Sequence, residues 1–351
     1  SFQFVLYLAA IHEVCHRSLQ RRQALALLGL GILFRITLLF QAPFYSGDLY
    51  RYLWDGHVQV AGHLNPYRYA PADPILAPLR NDIQPLVNHP DIPTLYPPVA
   101  QALFAAVALV GGSVAGLKAL MVLFDLAQLF LLRAMLRGGG MSAGRILIYA
   151  WSPLVITEVA GNGHLDAAAI FFLILGIHLI IVARPGLSTI PLGLAAGAKA
   201  LPLLMFPVLA GRIPRRFWML PFALIGLFYL PYLDAGKALV TGLLEYAERW
   251  QHNDSLFRIL LRCLEALNPT PSLKSLIQWL QSLLGDPFWI PILYRYAYPV
   301  YLARLGVIVA LGGLAVWLGL KRVPPLSGWF WMLGALLILS PTLHPCYLLW
   351  L

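Results

Sequence analysis

Asp48 and Asp55 stand seven residues apart in "SGDLYRYLWDGHVQV", just after the apolar run "ALALLGLGILFRITLLF". They stand, with Arg51, Tyr45, Tyr50 and Tyr52, where a chain leaving an apolar run could have been neutral. With Tyr52, the two aspartates fall on one helix face, leaving Leu49, Leu53 and Val60 for the other. That is the pattern of a helix lying at a membrane surface and aiming carboxylates at something beside the bilayer. A plainer role is also open: Asp48 could cap a helix beginning at Leu49, accepting an orphan backbone N–H.

Other polar stretches interrupt apolar sequence in the same way. Asn65, Tyr67, His89, Asp91 and Tyr96 lie in the Pro- and Tyr-rich segment that follows, which is too long to be a mere connector. In "WSPLVITEVAGNGHLDAAAIFF", Glu158, Asn162, His164 and Asp166 cluster at a tight turn between apolar runs, where ionisable groups are functional candidates by default. The plainer alternative has His164 and Asp166 satisfying each other and capping the next helix. Lys199 sits inside an apolar stretch, where it either snorkels to an interface or offers an ammonium to an anion. "YAERWQHNDSLFRI" gathers Trp250, His252, Asn253, Asp254 and Arg258, Arg295 follows, and "SPTLHPCYLLW" adds His344 and Tyr347. The spacing matches no specific metal-ligand pattern, so no metal and no other cofactor are expected. Carboxylates and amides for hydroxyls, aromatic faces for a ring and cations for a phosphate suit a lipid-phosphate-linked sugar.

The elements that must position these residues are membrane helices. The chain is 60% hydrophobic and 11% charged over 351 residues. Its mean hydropathy is +0.73. One soluble core could not hide that much apolar surface, and apolar runs of about 18 residues or more recur along the length. The fold class expected is an all-α polytopic membrane protein, one domain over residues 1–351. The net charge of +10 does not point to nucleic acid. Its basic residues cluster between spans at Arg17, Arg21 and Arg22, at Arg137 and Arg145, at Arg212, Arg215 and Arg216, and at Lys321 and Arg322. Cytoplasmic loops look like this under the positive-inside rule. Spans are then expected near 23–42, 116–137, 144–160, 166–183, 217–233, 296–320 and 326–343, with outer loops at 43–96 and 234–295. Residues 97–113 and 188–211 read as short or re-entrant pieces. Cys15, Cys263 and Cys346 are scattered and imply no disulfide framework. Both ends fall inside hydrophobic sequence, which reads as truncation.

Five blocks in order, "SGDLYRYLWDGHVQVAGHLNPYRYAP", "HPDIPTLYPPVAQALF", "WSPLVITEVAGNGHLDA", "GLAAGAKALPLL" and "SPTLHPCYLLW", resemble the GT-C glycosyltransferases that use polyprenyl-phosphate sugars. The nearest likeness is to the bacterial mannosyltransferase-like group. The resemblance implies a multi-pass inner (plasma) membrane protein whose active site faces the periplasm or exterior. It implies a polyprenyl-phosphate sugar as donor and a glycan or lipid as acceptor. It also places the catalytic base at Asp48, with Asp55 as second choice, in an inverting transfer. Two other readings stay open on sequence: a transferase of another lipid-linked group, such as aminoarabinose, and a secondary transporter or flippase.

Overall fold

Proline sets many of the helix boundaries. Pro98, Pro153, Pro185, Pro299 and Pro325 each sit in the first turn of a helix, where the missing N–H would have had no intrahelical partner. The computed structural model describes residues 2–16, 20–252 and 254–351, so the candidate Asn253 and the basic Arg17 lie outside the described residues.

The chain runs through α1 (Phe2–His16), α2 (Arg21–Leu38), α3 (Asp48–Val60), α4 (Pro98–Leu109), α5 (Val114–Gly138) and α6 (Ile146–Ala150). A short α7 (Pro153–Val155) runs directly into a π-helical turn, Ile156–Gly161. Then come α8 (Asp166–Ile181), α9 (Pro185–Ala198), α10 (Met205–Ala210), α11 (Leu220–Tyr229) and α12 (Thr241–Arg249). The last five are α13 (Leu256–Leu267), α14 (Thr270–Leu284), α15 (Ile290–Tyr296), α16 (Pro299–Leu320) and α17 (Pro325–Leu339). Among the described residues there is no strand, only a lone bridge between His252 and Thr342.

Among the described residues, three stretches are long and apolar enough to cross a bilayer: α5, the Arg215–Arg249 run and α16. The protein is an all-α polytopic membrane protein. The spans expected at 144–160 and 166–183 differ from simple rods. The first is broken at Trp151–Ser152, and Pro153–Gly161 forms with α8 a pair bent by 119°. The expected span at 23–42 corresponds to α2, whose 18 residues include Arg21, Arg22 and Arg35. The 12 residues of α4 and 14 of α9 are short, as their sequence suggests, against about 20 needed to cross.

The chain divides into two compact units. The first comprises residues 1–203 and 212–248 with Trp350. Within it α3 is enclosed rather than lying on a surface. Leu49, Tyr52, Leu53, Trp54, Asp55 and Val58 are all buried, so the expected two-faced helix is a correction. The reason is that both sides find cover. Trp54 and Val58 pack on Leu76 and Val87 from the 43–96 segment, and Tyr52 stacks on Phe104 of α4. Gly56 makes the close α3–α4 approach feasible, because a Cβ there would strike the Phe104 carbonyl. Elsewhere in this unit Arg35 of α2 is fully buried against Asp125 of α5, whose other oxygen accepts from the Tyr149 hydroxyl at 2.5 Å. The same guanidinium donates to the carbonyls of Gly31 and Ala150, at 2.9 and 2.7 Å. It therefore satisfies a carbonyl at the end of α6, where the helix breaks.

The second unit comprises residues 204–211 and 249–349 with Leu351. Here α16 packs against α10, α13, α15 and α17. The segment before α13 is tied to the chain after α17: His252 N–H donates to Pro341 at 3.0 Å, Leu343 N–H to His252 at 2.9 Å, and the Thr342 hydroxyl to Trp250 at 2.9 Å.

Candidate active site

Asp48 is the first residue of α3, and Gly47 is the N-cap, with no side-chain cap. The capping role open to Asp48 is therefore not realised. The Asp48 N–H instead donates to the Ser46 hydroxyl at 3.2 Å. The residue is half-buried, and its carboxylate accepts no hydrogen bond from the described side chains. Its charge is felt by Tyr96 and His164. Burial pushes the Tyr96 phenol well above its ordinary range, and the Asp48 carboxylate adds to that.

Asp55, two turns on, is placed quite differently. It is buried, accepts from the Arg51 guanidinium at 2.8 Å and from the Gln101 amide at 3.1 Å. Arg51 also donates to the Ile92 carbonyl at 3.0 Å, and Gln101 to the Thr94 hydroxyl at 2.8 Å. Gln59 continues the network to Gln101 at 2.8 Å and accepts from the Tyr232 hydroxyl at 2.7 Å. Asp55 thus organises the interior of the 43–96 segment.

Of the other candidates in that segment, Tyr52 is buried against Tyr96 and Phe104. The Tyr67 hydroxyl donates to the Tyr96 carbonyl at 2.7 Å. The Asn65 amide donates to the Tyr232 carbonyl at 3.1 Å and to Asp234 at 2.5 Å. His89 and Asp91 are exposed.

The Glu158–Asp166 stretch is buried throughout its polar members. His164 Nε2 meets Glu158 Oε2 at 3.1 Å, and the Asn162 amide donates to the same oxygen at 3.2 Å. Asn162 Oδ1 accepts the consecutive backbone N–H groups of Phe44 and Tyr45, at 3.0 and 3.2 Å. Asp166 accepts from Lys199 Nζ at 2.6 Å and from the Trp350 indole at 2.5 Å. His164 and Asp166, which the plainer reading has satisfying each other and capping the next helix, feel each other's charge but hydrogen-bond to Glu158 and to Lys199 respectively, and the N-cap of α8 is Leu165 with no side-chain cap. His164 lies in the turn between the bent pair. Burial lowers its pKa, but the Glu158 hydrogen bond and the charges of Asp166, Asp48 and Glu158 outweigh that and hold it above 6.5.

Lys199 follows α9 in extended backbone, φ −148° and ψ 140°. Its side chain is 26% exposed while its partner Asp166 is 1% exposed. In the second unit Arg258 pairs with Asp254 at 3.0 Å, Arg295 lies 4.9 Å from the Tyr301 ring centroid, and His344 meets the Tyr347 ring edge-on at 5.6 Å. The candidate Trp250 offers its carbonyl to Thr342.

Sequence reasoning missed Arg51, Gln101 and Lys118. Lys118 is buried in α5 and donates to the Leu38 and Gln41 carbonyls at 3.2 and 2.6 Å, tying down the chain that leaves α2. A lone lysine within an apolar helix was the available signal.

The arrangement offers a carboxylate, Asp48, whose charge reaches Tyr96 and His164, and His164 in turn feels Asp166, the ion-pair partner of Lys199. Comparison with known families matches residues 3–214 to "Alpha-(1->6)-mannopyranosyltransferase, N-terminal domain". Four of the five blocks quoted above fall inside that range. No curated protein and no solved structure matches the chain. With well over half of its residues matched, the chain belongs to the alpha-(1->6)-mannopyranosyltransferase family.

Proposed function

We propose that the protein transfers mannose from a polyprenyl-phosphate donor to a hydroxyl of a glycan or lipid acceptor at the outer face of the membrane, with inversion and with Asp48 as general base. The observation that carries this reading is the contrast among the carboxylates. Asp55, Glu158 and Asp166 are each buried and engaged, whereas Asp48 is half-buried and accepts from no described side chain.

In the step, the acceptor oxygen forms a bond to the anomeric carbon and gives its proton to the Asp48 carboxylate. The bond from that carbon to the phosphate oxygen breaks, and its electron pair leaves with the lipid phosphate. The family description specifies an α-(1→6) linkage; an inverting enzyme forming it requires a donor whose sugar–phosphate bond is β. Charge builds on the departing phosphate, so a cation placed beside it stabilises the transition state more than the ground state. Lys199 is the candidate for that cation. The tyrosines Tyr52, Tyr67 and Tyr96, with Asn65, His89 and Asp91, belong to the segment that would enclose the sugar.

A divalent metal is not needed in this scheme. Hard cations take several carboxylate or carbonyl oxygens, and in the first unit Asp55, Glu158 and Asp166 are already engaged by Arg51 and Gln101, by Asn162 and His164, and by Lys199 and Trp350. Turnover should survive EDTA.

The deciding experiment compares Asp48→Asn and Asp55→Asn in purified protein supplied with polyprenyl-phosphate mannose. Asp48→Asn should fold, bind donor and lose turnover by at least 10²-fold. Asp55→Asn should lose thermal stability first. Near-normal turnover in Asp48→Asn would end the assignment. A panel of other polyprenyl-phosphate sugars tests the choice of mannose.

A further inference from the structure

Asp48 needs a fixed position, yet no side chain among the described residues holds its carboxylate. Its place is set by the backbone that leads into α3, residues 39–47, which is not helical beyond a single turn. Phe40, Phe44 and Tyr45 in this stretch are exposed at 79, 49 and 84%, so apart from the Phe44 ring against Gly161 little of the protein covers them. Lys118 holds its first part through the Gln41 carbonyl, and the part nearest Asp48 is held by Asn162, whose Oδ1 accepts from Phe44 and Tyr45 together.

The geometry assigns Asn162 the role of positioning residue for Asp48, with Glu158 and His164 fixing the direction of its amide. This rests on the reading of Asp48 as base. An asparagine amide can present either oxygen or NH₂ to the chain, and only the oxygen can accept two N–H groups. Glu158 decides between them. Its Oε2 accepts from the Asn162 NH₂ at 3.2 Å, which leaves Oδ1 facing residues 44 and 45. His164 at 3.1 Å holds the same oxygen of Glu158. Asn162 is 1% exposed, so its donor and acceptor are spent within the protein rather than offered to a sugar.

The backbone around Asn162 is shaped for this contact. It follows a π turn and donates its own N–H to the Thr157 carbonyl at 2.9 Å. On one side Gly161 lets the Phe44 ring come close, since a Cβ there would sit 3.1 Å from it. On the other, Gly163 takes φ +71° and lies against Leu49 of α3, where a Cβ would come within 2.5 Å of that side chain. The Gly–Asn–Gly turn therefore grips both the stretch before Asp48 and the residue after it.

Three measurements on the detergent-purified full chain test this: hydrogen exchange of the peptide covering residues 40–47, kcat, and KM for polyprenyl-phosphate mannose. Asn162→Ala removes both acceptor contacts. It should raise exchange at Phe44 and Tyr45 and lower kcat roughly 10²-fold, the size of effect a displaced catalytic group produces, while donor KM moves less than about 3-fold. Asn162→Asp keeps the acceptor but faces Glu158 with a second carboxylate. It should show intermediate exchange and recover part of kcat as the pH falls and that pair takes up a proton. Unchanged exchange, or a loss lying wholly in KM, would overturn the assignment and make Asn162 a substrate contact or a bystander. If Asn162→Ala does not fold, Asn162→Asp alone carries the same three readouts. The exchange result is independent of catalysis, so an active Asp48→Asn would remove the base assignment while leaving the grip on residues 44 and 45 measurable.

Discussion

Lys199 and His164 each make an electrostatic test of the candidate site. Lys199 is the ion-pair partner of buried Asp166, so its removal has a structural consequence as well as a catalytic one. Breaking a buried pair by deleting one partner costs about 3–5 kcal/mol, and the partial exposure of Lys199 puts this case toward or below the lower end. Lys199→Met should therefore lose thermal stability and turnover together. The double variant Lys199→Met/Asp166→Asn separates the two causes. It should regain stability, since no uncompensated carboxylate remains, but not donor affinity or rate if the ammonium also binds the phosphate. Recovery of full turnover in the double variant would reduce Lys199 to a counter-ion. His164 gives a pH test. Its pKa is held above 6.5 in the fold by Glu158, Asp166 and Asp48 despite burial. A raised folded-state value means the imidazolium stabilises fully below 6.5, and that contribution is lost as pH rises through the raised value. Unfolding midpoints of the wild type and of His164→Gln should therefore differ most in acid and converge as pH rises; a constant gap would refute the linkage.

At the scale of elements, the site depends on a turn rather than on the helices it joins. Gly163 at φ +71° cannot be replaced without strain, about 1–2 kcal/mol for an L-residue in that region, and the Leu49 contact adds to it. Gly163→Ala should lower the unfolding midpoint modestly and kcat disproportionately, because Leu49 is the neighbour of Asp48. Steady-state rates beside a thermal melt would show it. Much of this level was legible in sequence. The helix at 48, the polar cluster at 158–166 and the shortness of 97–113 all follow from local pattern, since proline, glycine and apolar period act within a few residues. The enclosure of α3 was not legible. Whether Tyr52 and Asp55 face lipid headgroups or Gln101 and Phe104 is decided by a helix 46 to 52 residues away, and alternation along one helix carries no record of it.

For the whole molecule, the same limit explains the pair formed by Arg35 and Asp125. Each is visible as a lone charge in an apolar run, and each is a warning under the cost of burying charge, but 90 residues separate them in sequence. Together with Tyr149 they join α2, α5 and α6. Asp125→Ala should leave the Arg35 guanidinium buried and unpaired and cost about 3–5 kcal/mol. The apolar double variant Arg35→Met/Asp125→Leu should be better tolerated than either single change. Thermal unfolding and detergent-extracted yield report on both, and a double variant worse than Asp125→Ala would mean that the guanidinium's hold on the Ala150 carbonyl matters more than the charge balance.

The π turn at Ile156–Gly161 has a consequence for how this segment tolerates changes in length. Such a turn is an α-helix holding one surplus residue. Removing Ala160 would let the helix close its ordinary hydrogen bonds and would rotate everything after it by about one residue's angle relative to Glu158, roughly 100°. A deletion that makes the local backbone more regular should thus carry Asn162 away from Phe44 and Tyr45. Here a shorter, better-formed helix would be the inactive one.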